Sequence, residues 1–261
     1  MKSFEQKALD IRKDILSSVM VAGPNGAHIA PSLSCVEILT AIFAYMTESY
    51  GLFVLSKGHA GLALYAAMKE FGIISAADFD TFETNGGEFP GQPSKNLAKH
   101  IEYSSGSLGM GLSYACGRAL ALKQRSLNGK VFVLLGDGET NEGSVWESAM
   151  FAGFNHLKNL IAVVDFNGMQ GDGFSKDILT FDQAGMWRSC GWHVQECDGH
   201  DSAVISRCLT EQTDEPLVIL ARTVKGKGVS FMENVREWHH GRLTQNQYQT
   251  ALSELEVGNG N

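Results

Sequence analysis

Leu134-Leu135-Gly136-Asp137-Gly138-Glu139-Thr140-Asn141-Glu142-Gly143 closes an apolar run, Val131 to Leu135, with an aspartate held between two glycines. An apolar run of strand length with no polar alternation is the pattern of a strand buried on both faces. Glycines at its end let backbone amides come close to an anion. Asn167 follows Asp137 by thirty residues, at the end of the next such run, Leu160 to Phe166. Adjacent parallel strands would bring the Asp137 carboxylate and the Asn167 amide oxygen together. With the backbone carbonyl of Met169 they make part of the hard oxygen shell that magnesium uses, phosphate and water supplying the rest. A helix starting near Val145 would aim its N-terminus at the same loop. Gly-Asp-Gly after a strand is often only a tight turn, and it is the strand-end Asn167 that makes it more than that.

Outward from this stretch, Leu217 to Val224 reads as a further strand, Trp192 to Glu196 as a weaker one, and Leu52 to Leu55 as a short one upstream. Helical candidates at Val145–Leu157, Asp182–Cys190 and Ser202–Gln212 lie between the later runs. Strand and helix alternating at this spacing predict an α/β fold: a parallel β-sheet flanked by helices on both faces. Ligands of such sheets bind beyond the carboxyl ends of the strands, where Gly136-Asp-Gly138, Asn167-Gly-Met169 and Lys225-Gly-Lys-Gly228 stand.

Upstream, Phe4, Ala8, Ile11, Ile15, Val19 and Ala22 recur at steps of three and four and predict an amphipathic helix over residues 3–22. Residues 23–31 form a loop carrying His28, and Ser32 is the expected N-cap of a helix running to about Tyr45. His59, in Ser56-Lys-Gly-His59, sits at a strand-to-helix corner before a helix over 61–71. Residues 75–105 are mostly loop, with a short helix near 76–82, and a small-residue helix is expected over 107–126. Its glycines at 109, 111 and 117 would allow close approach of backbone or ligand. The expected organisation is a single domain over residues 1–261 with a C-terminal tail from about 245.

Composition limits the function. Of 261 residues, 44% are hydrophobic and 19% charged, and 21 basic against 29 acidic residues give a net charge of −8. No basic run offers a nucleic-acid or anionic-membrane surface. Cys35, Cys116, Cys190, Cys197 and Cys208 include no Cys-x-x-Cys pair, so a disulfide framework or structural zinc is disfavoured. Charges near the start and the lack of a long apolar run argue against a signal peptide or a membrane span, and a cytoplasmic protein is expected. Gly106-x-x-Gly109-x-Gly111 is not a dinucleotide fingerprint, and Lys225-Gly-Lys-Gly228 lacks the ending of a phosphate-binding ATPase loop.

Gly136-Asp-Gly138 through Asp165-Phe-Asn167 resembles the thiamine-diphosphate motif, and Gly136 to Glu147 is similar to transketolases in particular. Gly26 to Ser34, Val54 to Ala60, Ser105 to Gly111 and Thr223 to Gly228 agree in order along most of the chain. The resemblance is to the diphosphate-binding, N-terminal module of transketolases that are split into two subunits. It implies thiamine diphosphate and Mg2+ as cofactors, with Asp137, Asn167 and the Met169 carbonyl on the metal. Gly138 and His59 would approach the diphosphate, and Gly106 and Leu108 the aminopyrimidine. Glu142 would lie where paired active sites meet. His28, His59 and, before Gly241, His240 in preference to His239 would face the sugar, with Gln92 a further contact. Groups titrating near neutral pH suit proton transfer at sugar hydroxyls.

Two segments depart from the family. Pro90-Gly-Gln92-Pro93 has glutamine where a histidine is usual, and Lys99-His100-Ile101-Glu102 replaces another common segment; both are expected at the substrate mouth. The pyrimidine-binding module, with the glutamate that activates thiamine, has no counterpart here. The resemblance therefore implies a separate pyrimidine-binding partner subunit, two copies of each, transferring a two-carbon ketol unit from a ketose or ketose phosphate to an aldose. Two alternatives stay open at this point: transfer to a lipoyl or carrier-protein thiol, and a non-catalytic regulatory or scaffold subunit.

Overall fold

A computed structural model of the chain describes residues 2–258. Five parallel strands, β1 (Gly51–Leu55), β2 (Lys130–Gly136), β3 (Leu160–Phe166), β4 (His193–Asp198) and β5 (Leu217–Arg222), form one sheet in the order β1-β2-β3-β5-β4. Alternate residues of each strand enter opposite layers. Phe132, Leu134, Ile161, Val163 and Ile219 face one core, which is closed by α1 (Phe4–Ala22), α3 (Val36–Glu48), α4 (Gly61–Glu70), α10 (Ser202–Thr210) and α11 (Gln245–Gly258). Val131, Val133, Leu135, Ala162 and Val164 face the other, closed by α6 (Met110–Gln124), α7 (Gly143–Phe154) and α9 (Gln183–Ser189). Two buried faces explain the uninterrupted apolar runs. Short helices α2 (Ala30–Leu33), α5 (Ala76–Phe79) and α8 (Ser175–Ile178) lie in the connections.

Three expectations are corrected. Ser32 does not cap a helix: its hydroxyl donates to the His28 carbonyl at 2.7 Å, the chain makes the short α2 first, and α3 begins only after Cys35. Residues 245–258 are not a tail but the helix α11, whose Ala251 and Leu255 are buried in the core that α1 shares. The expected frayed end, 257–261, lies outside the described residues from 259 onward. Gly117 meets nothing within 4 Å, so of the three α6 glycines only Gly109 and Gly111 serve close approach. No helix among the described residues is long and apolar enough to cross a membrane.

Candidate active site

The carboxyl ends of four neighbouring strands, β1, β2, β3 and β5, open into one cavity of about 390 Å³. His28, His59, Gln92, Gly106, Leu108, Asp137, Gly138, Glu142, Asn167 and Met169, all expected at a site, line it together.

Asp137 is 4% exposed. Its Oδ1 accepts the Gly138 amide at 2.7 Å and its Oδ2 the Gly168 amide at 2.6 Å. Burial, with the Asp165 charge behind it, nevertheless pushes its pKa up to about 6. A carboxylate with two amide donors and still short of positive charge fits a bound cation. Asn167 Nδ2 donates to Asp165 Oδ2 at 3.1 Å while its Oδ1 accepts from the Met169 amide at 3.0 Å, which decides which end of the amide is oxygen. Carboxylate, amide oxygen and neighbouring carbonyl are the donor types that hard magnesium takes, so the residues fit that ion.

Behind them lies a buried hub that sequence reasoning missed. Asp165, fully buried, accepts from Ser34 Oγ at 2.6 Å, from Asn167, from Thr223 Oγ1 and from Lys57 Nζ. Lys57 Nζ also donates to the Pro31 carbonyl at 3.0 Å. Burial opposes both charges, but each holds the other ionised: Lys57 titrates above its ordinary range and Asp165 below. The hub ties the loops after α1, β1, β3 and β5 to one point.

Glu139, 2% exposed, accepts the Gly136 amide at 3.0 Å, the Gly109 amide at 2.8 Å and the Ser56 hydroxyl. It pins the N-terminus of α6 against the β2 turn, so that Gly106 and Leu108 reach the cavity. A Cβ on Gly109 would lie 2.5 Å from Ser144 Oγ, and Gly109 has φ +81°, so both space and conformation call for glycine there.

The histidines form a trio, but not the expected one. His28 and His59 ring centroids are 5.9 Å apart, and His239 stands 5.4 Å from His28 and 5.5 Å from His59. His240 is exposed, packs its ring against His28 at 4.7 Å and does not line the cavity. The expectation for His240 is therefore corrected to His239. The cause is a bridge between Ala27 and Gly241, with 2.9 Å hydrogen bonds in both directions, which fixes the side from which the His239-His240 pair meets His28. Burial pulls His28 down to about 4, His239 to about 3 and His59 well below its ordinary value, the nearby cations adding to the effect. All three imidazoles are neutral at pH 7 and each offers one donor and one acceptor.

Lys225, 2% exposed, was expected only as part of the Lys225–Gly228 loop at a strand end and was not singled out. Its Nζ donates to the Gln170 carbonyl at 3.1 Å, and burial, then Lys57, lowers its pKa to about 8. Gln170 Nε2 and His239 Nδ1, both buried, have no partner among the described residues, and polar atoms so placed fit a polar ligand. A lysine in a glycine-containing loop at a strand end was the available signal for both Lys57 and Lys225. The Lys99–Glu102 segment is not at this mouth. Asn96 and Ile101 pair as a tight bridge, and His100 to Glu102 line a separate apolar cavity of about 250 Å³ with Phe43 and Phe53.

Residues 48–257 match the family described as "Transketolase, thiamine diphosphate binding domain". The chain belongs to the transketolase family. It is 36% identical over 265 residues to the 6-deoxy-6-sulfo-D-fructose transketolase subunit of Clostridium sp. (strain MSTE9), covering 97% of this chain and 96% of that one. It is 36% identical over 264 residues to an apulose-4-phosphate transketolase subunit of Actinobacillus succinogenes, covering 97% and 95%. The transketolase of Campylobacter jejuni superposes with a TM-score of 0.89 over 98% of this chain and 43% of that one; at 23% identity this likeness speaks for the fold alone. Matching separate subunits over nearly their whole length, the chain is the N-terminal subunit of a split transketolase, a thiamine-diphosphate enzyme of ketol transfer that works with a partner subunit.

Proposed function

We propose that this cavity holds magnesium and the diphosphate of thiamine diphosphate, and that with a pyrimidine-binding partner the chain moves a two-carbon ketol unit from a ketose or ketose phosphate to an aldose in the cytoplasm. The observation that carries the proposal is the meeting of Asp137, Asn167 and the Met169 carbonyl with three neutral histidines in one cavity. Thiamine diphosphate, when bound, supplies the nucleophilic carbon and the electron sink for carbon–carbon cleavage. Asp137, Asn167 and Met169 hold the metal. Lys225 faces the diphosphate, and Gly138, which lines the same cavity without a side chain, leaves room for it. His28, His59 and His239 orient sugar hydroxyls through one donor and one acceptor each, burial holding all three below the near-neutral range expected of them. Gln92, exposed at the mouth, hydrogen-bonds a hydroxyl without exchanging a proton near neutral pH.

The named relatives act on a sulfo-sugar and a sugar phosphate, which supports a sugar or sugar-phosphate donor here. The carrier-thiol reading rested on Gln92 and His100 together, and His100 lies at the other cavity, so the sugar acceptor is favoured. A cavity that gathers magnesium-type oxygen donors has no purpose in a scaffold.

For the partner we propose the face made by α6 and α7. Glu147, Met150, Phe151 and Phe154 occupy one exposed stripe of α7, with Phe154 86% and Met150 56% exposed, beside Met110 and the open Gly117 of α6. The stripe continues to Leu108 and Glu142 at the cavity mouth, so a partner seated on it would complete the cavity. Two copies of each subunit make the assembly in this reading.

Calorimetric titration of thiamine diphosphate with magnesium, with and without the partner, is the test. Tight binding only in the mixture, lost in Asp137→Ala, is expected. Absence of binding in both would overturn the proposal.

A further inference from the structure

We infer that His200 is a positioning residue for Lys225, held together with Arg12 and Glu37 as a clamp on the side of the Val224–Gly228 loop away from the catalytic cavity. The inference rests on the reading of Lys225 as a diphosphate contact.

The loop leaves β5 and must turn back at once. Gly226 and Gly228 take φ +85° and +94°, and a Cβ on Gly226 would lie 2.5 Å from the Met232 carbonyl. Most of its polar groups find backbone partners: the Gly226 amide donates to the Ala30 carbonyl at 3.1 Å, the Lys225 carbonyl accepts from the Asn234 amide at 2.9 Å, the Val224 carbonyl from the Lys227 amide at 3.2 Å, and the Gly226 carbonyl from the Val229 amide at 3.3 Å. The amide immediately before Lys225 has no such partner. Val224 N–H donates instead to His200 Nε2 at 2.8 Å. Further along, the Lys227 carbonyl accepts from Arg12 Nε at 3.2 Å.

Glu233 Oε1 accepts the Gly228 amide at 3.0 Å, and the other two side chains that grip the loop, His200 and Arg12, meet on one carboxylate. Arg12 Nη2 donates to Glu37 Oε2 at 2.9 Å, Arg12 Nη1 pairs with Oε1, and His200 Nδ1 lies 3.1 Å from Oε2. Because Nε2 must accept from an amide, Nδ1 carries the proton and donates to Glu37, so the network itself selects the neutral tautomer. Arg12 and Glu37 are 6% and 8% exposed, and the Ser202 hydroxyl fastens the Glu37 carbonyl at 3.1 Å. A buried bidentate pair of this kind keeps its geometry.

Lys227 and Gly228 border a groove of about 510 Å³, also lined by Arg12, Glu37 and His200, and Gly228 packs closely against Leu255 and Arg12. At Val224 itself, the residue before Lys225, the amide is held by the His200 grip. Lys225 extends from it into the catalytic cavity, where a misplacement of about 1 Å can cost on the order of a hundredfold in rate.

The test is a double-mutant cycle on thiamine diphosphate affinity, with magnesium, in the chain assembled with its partner: wild type, His200→Leu, Lys225→Ala and both. If His200 acts through Lys225, each single change weakens affinity about tenfold and the pair also about tenfold, where independent effects would multiply to about a hundredfold. His200→Gln, whose amide can accept from Val224 and donate to Glu37, restores affinity to within about threefold of wild type. Thermal unfolding run in parallel identifies a variant that does not fold; should His200→Leu be one, His200→Asn, too short to span both partners, replaces it in the cycle. Multiplying effects, or a leucine or asparagine variant that binds as wild type does, would overturn the clamp and leave the cofactor reading standing. A wild-type assembly that does not bind thiamine diphosphate would overturn both.

Discussion

Asp165→Asn keeps the shape of a side chain and removes the charge on which four donors converge. Lys57 loses its counterion and, with a side chain 1% exposed, has no route to water. Breaking a buried ion pair by removing one partner costs about 3–5 kcal/mol. The amide must also turn its NH2 end toward one of the donors from Ser34, Asn167, Thr223 or Lys57, losing about 1 kcal/mol more. For a chain of this size each kcal/mol moves the melting temperature by about 2–4 °C, so the expected fall is about 8–24 °C. The sign of its pH dependence follows from Lys57. In the variant its folded pKa drops below the unfolded value, so the unfolded chain binds the extra proton and stability rises with pH. The deficit should therefore narrow between pH 7 and 9. Differential scanning calorimetry of wild type, Asp165→Asn and Asp165→Asn with Lys57→Met, at one protein concentration without metal, reads all three quantities. A melting temperature within about 3 °C of wild type at pH 7, or a deficit untouched by Lys57→Met, would refute the reasoning, since 3 °C is under the smallest loss allowed above.

Burial opposes the charge on Glu37, but Arg12 and then His200 hold its pKa down to about 2, below the unfolded value; the resulting stability, about 3 kcal/mol, is present above pH 4.5 and lost as pH falls toward 2. Urea unfolding should show that acid limb in wild type and a flattened one in Glu37→Gln. Asp137, with its pKa pushed up to about 6, has its proton compete with the metal, so magnesium affinity should fall about tenfold per pH unit below 6, and calorimetry showing affinity flat from pH 6 to pH 4.5 would count against its ligand role. His239→Asn should lower kcat about a hundredfold or more with little change in cofactor affinity, whereas His240→Asn should stay within about threefold; steady-state kinetics with a ketose donor decides. Phe154→Glu with Met150→Glu should abolish assembly with the partner in size-exclusion chromatography and leave the melting temperature of the separate chain within about 2 °C, as expected for exposed positions.

How much was legible depended on how local the deciding physics was. β2, β3 and β5 showed in sequence because burial on both faces demands apolar residues at every position. β4 read weakly because it is an edge strand, half-exposed along His193 to Asp198, and burial imposes less on it. Residues 245–258 looked like a tail because their pattern is mostly polar; the helix forms by setting Ala251 and Leu255 into a core whose other side is α1, some 240 residues earlier. The metal-side residues were legible from strand ends and glycines. The choice between His239 and His240 was not, because it hangs on hydrogen bonds between Ala27 and Gly241, and no local spacing records a contact of that separation. Asp165 was invisible as a hub for the same reason: its donors come from four loops.

Charge balance explains why metal and diphosphate should enter together in this reading. The net charge of −8 says little about the cavity, because the relevant charges are the buried ones. Lys57 and Asp165 cancel, and the three histidines are neutral. That leaves Lys225 and Asp137 as opposed single charges, with Glu139 raised by burial and turned into the β2 and α6 backbone. Magnesium without an anion would leave an excess positive charge beside Lys225, and a diphosphate without magnesium an excess negative charge beside Asp137; each is costly where water is scarce. Together they nearly cancel, and the cation offsets the burial and the Asp165 charge that raise the Asp137 pKa. The same arithmetic makes the position of Lys225 matter, since among the described residues it is the one cation lining this cavity not already neutralised by a buried partner.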